Sequence, residues 1–137
     1  MKRLTLAAVG GVLAAVFGMP TRAKMRDMDL RESRLNDARF SAADLSGTWF
    51  HDAQMSRADL SGAVLVQAVL WRTGLINAKL AGADLREADL YGANLRSADL
   101  SGANFGGARL TAANLSDALL ADALWTGAEL PIGFDPK

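Results

Sequence analysis

The chain has no cysteine, a single histidine, three prolines and no excess of either charge, with fifteen Lys and Arg against fifteen Asp and Glu. Without cysteine there is no disulfide framework, no thiolate nucleophile and no lipidation at an N-terminal junction. His51, with no second His and no Cys, cannot build a zinc-type ligand set. Asp52 beside it is expected to turn toward Arg72, and Asp84, Glu87 and Asp89, the densest acidic group, read as one solvated face. No catalytic centre, metal site or cofactor site is therefore expected, and the chain is read as a non-enzyme. Balanced charge argues against nucleic acid as a partner. The apolar run from Leu4 to Phe17 is fourteen residues long, short of the roughly 20 that span a bilayer.

Residues 1–23 differ in kind from the rest. Lys2 and Arg3 precede that apolar run, and Thr21-Arg22-Ala23 places small residues at the minus-three and minus-one positions of a cleavage site, the arrangement of a secretory signal peptide. Cleavage after Ala23 would leave twelve basic against fifteen acidic residues. The expected protein is mildly acidic, exported and without a stable membrane anchor; the periplasm comes first, with the thylakoid lumen or extracellular space as other compartments.

What the chain does have is a five-residue beat. Every multiple of five from Leu30 to Leu130 is apolar: sixteen Leu, three Phe, Met55 and Trp125. Two residues before each centre the residue is small in every repeat but the first, where Met28 stands; it is Ala in seventeen of twenty-one, and two residues after the centre Gly occurs seven times. A helix turns about 100° per residue, so a five-residue spacing would scatter these side chains around its cylinder. In a flat strand an odd spacing sends them to alternate faces. A chain that turns a corner every five residues buries all of them, by stacking short sides into a solenoid with one continuous core.

Ala83-Asp84-Leu85, Ala88-Asp89-Leu90, Ala93-Asn94-Leu95, Ala98-Asp99-Leu100 and Ala103-Asn104-Phe105 give the pattern A(D/N)LXX in tandem, which resembles the pentapeptide repeat family over residues 28–132. The resemblance implies an all-β fold, a right-handed quadrilateral parallel β-helix with four pentapeptides per coil and about five coils. Three parts follow: a signal peptide at 1–23, the solenoid at 24–132 and a tail at 133–137. Met25 and Met28 are expected to cover the first coil. Pro131 and Pro136 stop pairing at the other end, where no capping helix exists and Phe134 can fold across Trp125. Gly106-Gly107 sits at a corner, in turn register and not as a phosphate loop.

Residues twenty apart should then stack about 4.8 Å from each other. One column reads Arg39, Asp59, Lys79, Asp99; another Asp89, Arg109, Glu129; Asp52 meets Arg72 and Asp37 meets Arg57. Between Val64 and Leu75 the pattern weakens, with Val64, Val69 and Gly74 at the usual Asp or Asn position. Val64, Val66, Val69, Trp71 and Ile76 should point outward, and His51, Trp71 and Tyr91 should form a ladder with Trp49 beside Val69. Aromatic packing that steadies the sheet is the plainer explanation of these residues. A contiguous apolar patch is also the mark of a contact surface, so the eight residues are the candidate patch for an unidentified protein partner. A second copy is another possible occupant, through a coil face or an uncovered solenoid end. The expected function is an exported interaction scaffold. The family also suggests an alternative, a DNA-mimicking, topoisomerase-binding protein of the quinolone-protection type, and a purely structural role is a third.

Overall fold

A computed structural model describes residues 24–137; the signal segment expected at 1–23 lies outside the described residues. Eighteen parallel bridges run from Lys24↔Asp44 to Arg109↔Glu129, and in every one the partners are twenty residues apart. Four turns fall within each such interval, and from Leu30 on each is closed by a hydrogen bond from one repeat's small residue to the previous repeat's centre, as Ala83 N–H to the Leu80 carbonyl at 3.0 Å. The chain is thus a four-sided β-solenoid whose sides are single paired residues between turns.

The repeat satisfies its own backbone, as a buried wall must. In the repeat 83–87, Ala83 N–H closes the turn, Asp84 N–H reaches back to the Ala63 carbonyl, and Leu85 and Glu87 donate forward to Asn104 and Gly106. The fifth donor, Arg86 N–H, goes to the Asp84 side chain at 3.2 Å. This explains the Asp or Asn of the motif: it accepts the one amide that the next coil cannot reach. The same Asx contact recurs at Asp44, Asp59, Asp89, Asn94, Asp99, Asn104 and Asn114.

Leucines and alanines fill the interior from Leu30 to Leu110 with essentially no exposure. Thr48 and Thr73 replace Ala without an orphaned hydroxyl, because each Oγ1 donates to a carbonyl, Met25 at 2.8 Å and Phe50 at 2.9 Å. Met25 and Met28 are buried over the first coil. At the last coil, burial is less complete than the sequence register predicts. Leu120, Trp125 and Leu130 are only partly covered, since no further coil among the described residues packs on them; Phe134 does cross Trp125, with ring centroids 5.6 Å apart. Leu119 and Leu124, at positions that hold Arg, Asp, Lys or Asn in most other coils, are more than half exposed.

Candidate functional site

The four sides carry different outer residues. Repeats centred on Leu30, Phe50, Leu70, Leu90 and Leu110 stack into one side, and the residues flanking those centres include Trp49, His51, Val69, Trp71 and Tyr91. Five of the eight patch residues therefore share this aromatic side. Val64 and Val66 flank Leu65 on the preceding side and Ile76 follows Leu75 on the next, so these three border the aromatic side at the same height. Trp71 and Tyr91 are the most open, at 42% and 40%, while the valines, Ile76, Trp49 and His51 are half-buried.

The rings form a ladder that breaks once. His51 lies between Trp49 and Trp71, with centroids 6.3 and 6.0 Å away. Its Nδ1 is buried with no hydrogen-bond partner among the described residues, a cost that the packing of the ring between its neighbours has to offset. Arg31 extends the stack on one side, its guanidinium 5.1 Å from the Trp49 ring, and Arg109 caps Tyr91 at 4.8 Å. Both cation–π pairs join residues eighteen apart, a diagonal from the position after one centre to the position before the next coil's centre. That diagonal is the signal sequence reading missed. Applied to Trp71 it gives Asp89, which cannot cover a ring face and instead accepts from Tyr91 N–H at 3.1 Å and from Arg109 at 3.3 Å. No ring contact joins Trp71 to Tyr91 among the described residues.

The break is a cleft of about 220 Å³ lined by Trp71, Arg72, Tyr91 and Arg109. Arg72 is fixed by a two-pronged contact with Asp52, both bonds 2.8 Å. That contact holds the Asp52 carboxyl below the usual carboxylate range and raises Arg72, to which the Tyr91 phenol adds slightly. Gly92 turns the corner beside it at a φ of 65°, and a Cβ there would stand 3.4 Å from Arg72 Cγ, an ordinary contact. Arg109 is shared by Asp89 and Glu129, at 3.3 and 3.8 Å.

Elsewhere the columns match expectation in part. Asp37 and Arg57 pair at 2.8 Å. Arg39, Asp59, Lys79 and Asp99 do stack in register, but no ion pair joins them among the described residues. Asp59 and Asp99 turn inward along the chain to accept from Ser61 and Ser101 N–H, each at 3.0 Å. Two broader depressions, of about 560 and 610 Å³, flank the last coil near Phe134 and near Leu120. Among the described residues no cluster of His, Cys, Asp or Glu could hold a metal ion, and no helix is long and apolar enough to cross a membrane.

The family profile for pentapeptide repeats matches residues 21–57, 53–90, 75–111 and 88–124. Among solved structures, the chain is similar to the pentapeptide repeat protein Rfr23 from the cyanobacterium Cyanothece 51142. The two share 31% identity over 83% of this chain and 69% of that one, with a TM-score of 0.63. A structure of QnrB1, a plasmid-mediated fluoroquinolone resistance protein, is similar at 20% identity over 79% of this chain and 65% of that one, with a TM-score of 0.53, a likeness of fold alone. A search of curated proteins by sequence returns no match.

Proposed function

Since the chain belongs to the pentapeptide repeat family, we propose that it is an exported, non-catalytic scaffold that docks a protein partner through the aromatic side of its solenoid, a right-handed winding of about five coils. The observation that carries this reading is the concentration of Trp49, His51, Val69, Trp71 and Tyr91 on one of four sides. Trp, Tyr and Arg are the residues that dominate binding energy at protein interfaces, and all three types meet at the cleft. The signal-like segment supports export, with the periplasm as the first compartment and the thylakoid lumen or extracellular space as the alternatives. The rigid wall lowers the ordering cost of binding, because the contact side chains stand on a backbone already fixed coil to coil.

The test is a double substitution, Trp71→Arg with Val69→Asp, combined with cross-linking in the native compartment and mass spectrometry. The parent should capture a discrete partner, or a second copy, that the variant loses while its circular dichroism spectrum is unchanged. Equal capture by parent and variant would move the contact off this side; self-association that survives the variant would locate it at another side or at the last coil. The topoisomerase-binding alternative needs an acidic stripe along the axis, whereas the column Asp89, Arg109, Glu129 alternates in sign. Inhibition of DNA supercoiling by the purified protein would replace the scaffold reading with that one.

A further inference from the structure

The broken ladder points to what fits into it. Trp71 has His51 beside it and Tyr91 has Arg109 over its ring, no ring contact joins Trp71 to Tyr91 among the described residues, and both rings line the cleft. Its volume of about 220 Å³ is below the roughly 300–1,000 Å³ of pockets for drug-sized ligands and cofactors. It is room for one side chain.

Charge decides which kind. Two guanidiniums at the rim suggest an anion, but each is already matched: Arg72 by Asp52, Arg109 by Asp89 and Glu129. Three carboxylates against two cations leave no positive field for a carboxylate or phosphate. A cationic occupant would meet the two arginines first, because they line the cleft and the three carboxylates that match them do not. The guanidiniums do retain N–H donors beyond those used in these pairs, and such donors suit neutral carbonyl oxygens. An uncharged planar ring would continue the stack from Trp49 to Arg109 and gain the attraction that aromatic pairs show beyond burial.

We propose that the Trp71–Tyr91 cleft is the anchoring pocket of the contact side, and that it takes an uncharged aromatic side chain of the partner, whose adjoining backbone carbonyls accept from Arg72 and Arg109. This rests on the scaffold reading for its partner but is tested without one. The experiment is a titration of the ¹⁵N-labelled protein with N-acetyl-tryptophanamide, followed at the Trp71 indole N–H and the Arg72 and Arg109 Nε–H signals. N-acetyl-leucinamide tests for the ring, and N-acetyl-tryptophan, with its free carboxylate, tests for an anion site. The expected result is saturable shifts in the millimolar range with the aromatic amide, about tenfold weaker binding of the leucine amide, and no gain from the carboxylate. Trp71→Ala and, separately, Tyr91→Ala should each weaken binding about tenfold, while Trp71→Phe restores most of it. Three results would each overturn the proposal: no saturable shift, equal binding of the leucine amide, or much tighter binding of the carboxylate. If the cleft binds the amide but no partner is cross-linked, only the scaffold reading fails; if a partner is captured and the amide does not bind, only the pocket does.

Discussion

At the position two after every centre from Asp27 to Gly127 the backbone has positive φ, between 50° and 71°, whether the residue is Gly or not. With the i→i+3 hydrogen bond this is the third residue of a type II turn, which favours Gly. One corner column offers an internal exchange, because Ala42 and Gly62 are stacked equivalents with φ of 55° and 64°. A Cβ built on Gly62 meets nothing within 4 Å, so Gly62→Ala isolates the conformational cost. The left-handed region costs an L-residue about 1–2 kcal/mol, and stiffening the unfolded chain returns about 0.4–1 kcal/mol. The net loss should be about 0–1.6 kcal/mol, centred near 1, and Ala42→Gly should gain a similar amount. Gly47→Ala should lose about as much as Gly62→Ala, since the group its Cβ would meet is the Asp27 carboxylate, the free end of a side chain that can swing aside. Urea denaturation followed by circular dichroism reads all three, with an unchanged slope showing that the same unit unfolds. A stabilising Gly62→Ala, or a destabilising Ala42→Gly, would refute the argument that the corners are strained wherever they lack glycine.

The core and the surface charges yield two more expectations. Leu85→Ala, in a site with no exposure, should cost about 2.7–5 kcal/mol, and Leu120→Ala, on the partly open last coil, clearly less; equal losses would show that the last coil is as well covered as the middle. Asp37, Asp52, Asp84 and Asp99 have carboxyls held below their usual range, the first three mainly by Arg57, Arg72 and Arg86 and the last by Ser101. A carboxyl depressed in the folded state stabilises above its unfolded pKa of about 3.9 and loses that contribution as pH falls through the folded value. The urea midpoint should therefore be flat near neutrality and fall below about pH 4, less steeply in Asp52→Asn; an identical acid limb in that variant would show that the Arg72 contact contributes nothing.

The period-five pattern made the fold legible because it leaves one arrangement that buries every centre, and the bridges at a spacing of twenty are that arrangement. Backbone register could be read at a distance because the core dictates it. Side-chain partners could not, since each outer residue chooses among a neighbour two residues on, one twenty on and one eighteen on. Asp52 took the vertical partner, Arg72. Asp84 took Arg86 two residues on, and Asp59 and Asp99 took the Ser amides of their own turns, leaving the Arg39–Lys79 column without ion pairs. The short contact wins where the local amide has no other acceptor, because leaving a donor unpaired costs more than an exposed ion pair contributes. The same competition shaped the candidate site. Trp49 and Tyr91 found arginines on the diagonal, whereas the diagonal from Trp71 ends on Asp89, whose carboxylate is occupied by the Tyr91 amide and Arg109. A ladder expected to run unbroken from His51 through Trp71 to Tyr91 is open at that step, and the opening follows from one residue: Asp89 stands where an arginine, lying over the free surface of Trp71, would have closed it.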